Sequence, residues 1–570
     1  MLETAENDAD MLRHWERRVR LARRELGWPA AAERAVSHRT GASLAMSAPA
    51  DQLFTATEVN EWALCASLAE RDPARSPSLI AALATEQPEE TEPPRLDAAS
   101  AFLRLRRRAA REANPRLRAL LEAAAARALP TLCDDEYLTL GAGDGGRDWP
   151  QNDLPRVDDL AWSELHGIPT AVVTGTNGKT TVVRLLAACA KAAGHTTGYC
   201  CTDGVFVAGQ AIGTGDYSGP AGARRVLRDT RVEAAILETA RGGILRRGLA
   251  VGRADVAVIT SVAADHFGEY GVHDLDALAE VKLAVAHAIG RDGLLVVNAD
   301  DAVLTRAASS AHKPLGWFAR DAGLPLLAAH REAGGATAAV QDDRLLLSLR
   351  GREHDLGPVA AMPLAAGGYS LFNVSNLAAA SLAAAGLGIE PATIAAVFAR
   401  FGADPEDNAG RLMRYELGGL KLIVDFAHNP VALAGLVDFA QRLRERGRLA
   451  LLLGQAGNRE DADIDRLAAV AAAARPDLIV VKELGSYLRG RETGEVPEIL
   501  RRALARAGVS EASIADAADE DRAVRQALAW ARAGDVLVLP LHSREGRSSA
   551  LALIDRLRRE GWTAGRPLPG

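Results

Sequence analysis

The chain uses very little lysine. Of its 67 basic residues only six are lysine: Lys179, Lys191, Lys282, Lys313, Lys421 and Lys482. Arginine stays charged wherever it is placed, whereas a lysine can give up its proton in a desolvated site. Each surviving lysine therefore hints that a compact or deprotonatable amine was wanted. Cysteine is scarce as well. The five present are an odd number without a C-x-x-C pair, so neither a disulfide scaffold nor a zinc-type spacing is written in the chain. Cys200 and Cys201 are adjacent in a strand-like stretch, where successive side chains point to opposite faces, which argues against a bridge between them. A reducing compartment fits this usage. The opening "MLETAENDADMLRHWERRVR" lacks an apolar core and does not read as a signal peptide. No stretch reads as a membrane helix, and a cytoplasmic location is expected. A net charge of -7 counts against a chain-wide nucleic-acid binder, so neither nucleic acid nor membrane is expected as a partner.

What is present is ordinary for a globular protein: 48% hydrophobic and 25% charged residues over 570 positions. At roughly 100–200 residues per domain, that length predicts about three to five domains or subdomains. Residues 1 to about 85 read as helices and loops, closed by the acidic, proline-rich "TEQPEETEPPRLD" (85–97). "AFLRLRRRAAREANPRLRALLEAAAARALP" (101–130) reads as two helices broken at Asn114-Pro115. Leu105, Leu117, Leu120 and Leu121 face inward and the arginines form a solvated face. "YLTLGAGDGGRDWP" (137–150) reads as a strand entering a glycine-rich loop. From about residue 168, short β-branched runs alternate with alanine-rich helices: "IPTAVVTG", "EAAILET", "ADVAVITSV" and "GLLVVNA". Such unalternated apolar runs predict buried parallel strands. A second block of the same kind begins at "LKLIVDFAHNP" (420–430) and runs through "RLALLLGQAG", "DLIVVKE" and "DVLVLPL". The fold class expected is α/β: a P-loop parallel-sheet central domain (166–408), a smaller α/β C-terminal domain (409–570) and a mainly helical N-terminal region (1–165).

The chemistry concentrates in "TGTNGKTT" (174–181), which lies between a buried strand and a helix. Glycines let backbone amides approach phosphate oxygens, and the helix N-terminus adds partial positive charge. Lys179 can reach terminal phosphates and the Thr180 hydroxyl can hold Mg²⁺. Val173 stands where the full G-x-x-x-x-G-K-T form has its first glycine. Glu238 ends an apolar strand, where a carboxylate is either a helix cap or a ligand for a hard cation. His266, in "AADHFG", closes the next strand at the carboxyl edge, where open α/β sheets place their ligands.

The form "GTNGKTT" resembles the Mur ligase family, ATP-dependent ligases that join amino acids to carboxylates. The likeness extends through "TGDYSGPAGARRVLRDTRVEAAILETARGGILRRGL" (214–249), "SVAADHFGEYGVHDLDALAEVK" (261–282), "GLLVVNADD" (293–301) and "NAGRLMRYELGGLKLIVDFAHNP" (408–430). Together with "GNREDADI" and "LRGRETGE" it covers about residues 165–545 and is most similar to the Mur-ligase-like half of cyanophycin synthetases. "LPLHSREGR" departs from the glycine-lysine-glycine-histidine pattern of the peptidoglycan ligases, which speaks against a murein substrate. The stretch before the likeness is too short for an ATP-grasp domain, so a single ligase activity is expected. "ALPTLCDDEYLTLGAGDGG" resembles the segment that precedes that domain.

The resemblance implies roles for particular residues. Gly175, Thr176, Asn177, Gly178, Lys179, Thr180 and Thr181 would bind the ATP phosphates. Thr180 and Glu238 would hold one Mg²⁺, and His266 with a carbamylated Lys282 a second. Asn298 and Asn376 would serve the nucleotide, Asn376 through its adenine, while Arg411 and Asp425 would approach from across the domain cleft. Phe372 stands where the family often has histidine before the asparagine, here Asn373. His428 is expected to hold its loop. The implied activity is ATP-dependent amide-bond formation between a carboxylate or peptide acceptor and an amino acid. Two alternatives stay open: a folylpolyglutamate-synthase-like or poly-γ-glutamate-type ligase, and a non-catalytic nucleotide-binding regulatory subunit.

Overall fold

The computed structural model describes residues 9–29, 32–38, 41–85, 95–265, 267 and 269–569. The chain divides into two compact units, and His266 lies outside the described residues. So does most of the acidic linker, 86–94.

The first unit comprises residues 1–168 with 227–230 and 266–278. Its first helix, Ala9–Glu25, buries Met11, Leu12, Trp15, Val19 and Ala22, a stripe at helical spacing. Trp15, Val59, Trp62 and Leu105 form its centre, with the Phe102 ring edge-on to Trp62 at 5.1 Å. The expected break falls between helices Ala98–Glu112 and Pro115–Ala126. It is mechanical in origin: Pro115 has no amide proton to continue a helix, and the Asn114 side chain accepts from Leu117 N at 3.0 Å. Leu105, Leu117 and Leu120 are buried, and Leu121 packs half-buried beside them. The region is not wholly helical. An antiparallel hairpin pairs Glu33–His38 with Gly41–Met46, and Thr131–Cys133, Tyr137–Leu140 and Arg147–Pro150 make a three-stranded antiparallel sheet.

The second unit holds two sheets. In spatial order the larger runs Arg352–Pro358, Arg344–Leu349, Ala336–Gln341, Leu315–Phe318, Ile289–Asn298, Ala254–Ile259, Thr170–Thr174, Ala234–Glu238, Thr197–Cys201, Gly204–Val207 and Gln210–Thr214. Strands Ala336–Gln341 through Thr197–Cys201 are parallel, and an antiparallel pair extends each edge. All five residues of Thr170–Thr174 and of Ala234–Glu238 are buried, which explains why these runs do not alternate. The smaller sheet runs Met413–Leu417, Leu420–Asp425, Val536–Pro540, Leu449–Leu453, Leu478–Lys482 and Ile514–Ala517, parallel except for its first pair. Each sheet is sealed by its own apolar core, with Leu185, Ile236, Leu382 and Phe398 in one and Phe439, Leu451, Ile464 and Val538 in the other. Each such side chain contributes about 1.5–3 kcal/mol when fully buried. Among the described residues no helix is long and apolar enough to cross a membrane.

Candidate active site

Three adjacent carboxyl ends of the larger sheet converge. Strand Thr170–Thr174 lies between Ala234–Glu238 and Ala254–Ile259, so the loop at 174–181, Glu238 and the Thr260–Asp265 segment meet at one edge. Connections leave strand Thr170–Thr174 and strand Ala254–Ile259 toward opposite sides of the sheet, the switch-point geometry that opens a crevice.

The loop at 174–181, the candidate phosphate loop, is held by its neighbours. Thr176 N donates to Ser261 O at 2.8 Å, Asn177 N to Ser261 Oγ at 3.1 Å, and Ala263 N to Thr176 Oγ1 at 3.0 Å. Two glycines are required. Gly175 has φ +145°, and a Cβ there would stand 1.8 Å from Thr260 Oγ1. Gly178 has φ +87°, and its Cβ would stand 2.2 Å from Asn376 Oδ1. The second approach brings Asn376 to the loop, where its Nδ2 also donates to Asn373 Oδ1 at 3.0 Å. Asn373 in turn is buried and donates to Leu364 O at 3.1 Å. Helix Lys179–Ala192 starts directly at the loop, so its free amides and dipole face the crevice. Lys179 Nζ donates to Thr176 O at 2.9 Å, folded over the loop.

Glu238 is fully buried and accepts from Thr180 Oγ1 at 2.8 Å and from Thr202 Oγ1 at 3.0 Å. This hydroxyl–carboxylate pair at a helix N-terminus suits a hard divalent cation, whose remaining ligands would be phosphate oxygens and water. Among the described residues no three His, Cys, Asp or Glu side chains converge on one point. Lys282 is 3% exposed, so it is not a surface lysine. Burial, then the charges of Lys179 and Arg241, push its amine well below the usual lysine range, with Asp265 opposing. Asn298 is committed locally, donating to Thr260 O at 2.9 Å and accepting from Asp300 N at 2.9 Å.

The smaller sheet presents its own carboxyl edge to this loop. Asn429 caps helix Pro430–Leu443 by accepting from Ala432 N at 2.9 Å, and its Nδ2 donates to Asn177 Oδ1 at 2.9 Å. Asn177 Nδ2 donates back at 3.3 Å. His428 holds its turn through Nδ1 against Phe426 O at 3.1 Å, and burial pushes it down to about 4. Arg459 reaches Asp265 at 2.7 Å. Arg411 lies over the Phe426 ring at 4.6 Å, and Asp425 Oδ2 accepts from Leu412 N at 2.7 Å. Burial raises the Asp425 carboxyl, with Arg411 opposing, and lowers Arg411, with Asp203 opposing.

Several participants escaped sequence reasoning. Thr202 shares Glu238. Asp203 gathers Arg184 at 2.9 Å, Arg547 at 2.8 Å and Arg411 at 3.9 Å. Burial works against its charge, but the three guanidiniums together hold the carboxyl below its usual range. Nothing in "CTDG" signals this. Arg459 could have been found, since it lies in the "GNREDADI" stretch.

Residues 173–384 match the Mur ligase middle domain and residues 410–540 the glutamate ligase domain of Mur ligases. Cyanophycin synthetase of Nostoc sp. is 35% identical over 413 residues, covering 71% of this chain and 45% of that protein. The chain thus spans less than half the length of that relative. UDP-N-acetylmuramoyl-L-alanyl-D-glutamate–2,6-diaminopimelate ligase of Xanthomonas campestris pv. campestris is 31% identical, covering 66% of this chain and 73% of the relative. Among solved structures, E. coli FolC in complex with DHPP and ADP superposes with a TM-score of 0.51 at 21% identity over 68% of this chain and 89% of that one, a likeness of fold. On the two domain matches and the diaminopimelate ligase likeness, this chain belongs to the Mur ligase family.

Proposed function

We propose that the protein is an ATP-dependent, cyanophycin-synthetase-like ligase that activates a carboxylate and couples it to the amine of an amino acid. The observation that carries this reading is the phosphate loop with its Thr180–Glu238 pair at 2.8 Å beside buried Lys282. A carboxylate oxygen of the acceptor attacks the γ-phosphorus of ATP and the bond to the bridging oxygen of ADP breaks. Lys179 and the amides opening helix Lys179–Ala192 meet the charge developing on the transferred group. Thr180 and Glu238 would hold one Mg²⁺, which supplies further charge neutralisation. His266 and Lys282 would hold a second. A lysine kept neutral by burial can react with CO₂ to become a carbamate, a negative group suited to that role. The amine then attacks the acyl carbon, loses a proton and expels phosphate, leaving an amide and ADP. Arg411, Asp425 and Asn429, whose amide pairs with Asn177 of the loop, would belong to a C-terminal domain, from about residue 409, that closes over the nucleotide and excludes water. Residues 166–408 would form the ATP-binding domain and 1–165 an N-terminal region, all in the cytoplasm. Mass spectrometry of products from ATP, Mg²⁺ and a pool of amino acids and short acidic peptides tests this. ADP release should require both a carboxylate and an amine. Tight ATP binding without ligation across a broad panel would favour a non-catalytic subunit.

A further inference from the structure

Lys482, one of the six lysines, is fully buried at the carboxyl end of strand Leu478–Lys482. Its ammonium pairs with Glu520 and donates to Pro540 O. Glu520 is 4% exposed and opens helix Glu520–Trp530. It also accepts from His542 N at 2.7 Å, Ser543 N at 2.9 Å and Ser543 Oγ. His542 is 8% exposed, with Nε2 2.9 Å from Ala427 O and Nδ1 3.5 Å from Lys482 Nζ. A carbonyl can only accept, so Nε2 carries the proton and Nδ1 turns its lone pair to the ammonium.

We propose that Lys482, Glu520 and His542 form a positioning hub that sets the turn Phe426–Asn429 and helix Arg544–Arg559 for engagement of the central domain. Two lines leave the hub. Through His542 it grips Ala427, two residues before Asn429, whose amide pairs with Asn177 of the phosphate loop. Through Glu520 it fixes Ser543, which caps Gly546 N at 2.9 Å in the helix that carries Arg547 to Asp203 at 2.8 Å. A buried ion pair kept only for stability is often replaceable by apolar groups without loss. This one is fully buried at the carboxyl end of its strand, and its two outward lines end on Asn177 and Asp203, which follow strands of the larger sheet. Burial and the neighbouring ammonium hold His542 down to about 3, so the ring stays neutral and its tautomer fixed.

The proposal rests on the phosphate loop being the ATP site. In the full chain, hydrogen exchange of residues 426–430 without nucleotide is measured beside ADP formation with ATP varied. His542→Ala should loosen 426–430 and lower kcat by about ten- to a hundredfold, the scale that a misplaced site element produces, while the KM for ATP moves less than about threefold. His542→Gln, whose amide can donate to Ala427 O, should recover part of both. Should His542→Ala not fold, the double variant Lys482→Met with Glu520→Gln removes both charges together and is expected to show the same pattern. Unchanged protection at 426–430 with wild-type kcat in the folded variants would overturn the hub. If the wild-type chain makes no ADP with any substrate, the ligase reading fails, while the exchange measurement still decides the hub.

Discussion

Lowering the pH from 7.5 to 5.5 should loosen the C-terminal sheet, and His542 sets the size of the effect. In the folded chain its ring is held at about 3, first by burial and then by Lys482, with Glu520 and the Ala427 carbonyl opposing. An unfolded histidine titrates near 6.5. Below about pH 6.5 the unfolded chain therefore takes up a proton that the native chain refuses. The stability is complete above that pH and falls at about 1.4 kcal/mol per pH unit for each such group. One histidine costs about 1.4 kcal/mol at pH 5.5. His428, lowered to about 4 with its side chain 28% exposed, adds up to the same again, for a total of about 1.4–2.8 kcal/mol. Below about pH 4.5 Glu520, held at about 2, begins to add its own loss, because a depressed carboxyl stabilises only while ionised. Amide exchange of strand Val536–Pro540, corrected for intrinsic rate, should lose about ten- to a hundredfold protection between pH 7.5 and 5.5. His542→Gln should flatten that slope by one proton whatever it does to absolute stability. Equal protection at both pH values, or the same slope in the variant, would refute the reasoning.

Three further outcomes are expected. Lys179→Ala should abolish ligation in a folded protein, with rate losses on the order of 10²–10³ or more; near-normal turnover removes the phosphate-loop assignment. Proteolysis within "ADPEDNAG" (403–410) should slow when a nonhydrolysable ATP analogue and Mg²⁺ are added, and identical rates would speak against ligand-coupled closure. Lys282→Ala should bind ATP yet lose ligation, and added acetate should restore part of it by supplying the missing carboxylate; full activity without additive counts against a carbamylated lysine.

The strand–loop–helix at 170–192 was legible because its causes are local. A fully buried parallel strand has no polar face to display, so Thr170–Thr174 reads as an apolar run, and the glycines at 175 and 178 are demanded by backbone angles and close neighbours. The break at Asn114-Pro115 likewise follows from one missing amide proton. The hairpin Glu33–His38 with Gly41–Met46 was not legible: its residues neither alternate strongly nor carry β-branched density, and pairing across the turn decided their state. At the site, sequence pattern marked Lys179, Thr180 and Glu238 one by one, and the scarcity of lysine drew the eye to Lys282. Only the tertiary structure joined Asn177 to Asn429 across 252 positions, gathered three arginines on Asp203, and gave Lys482 partners 38 and 58 positions away. Spacing along a chain encodes the period of a helix or strand. Which distant side chains then share a desolvated volume depends on how the sheets pack, and it is that shared volume which fixes their charges and their work.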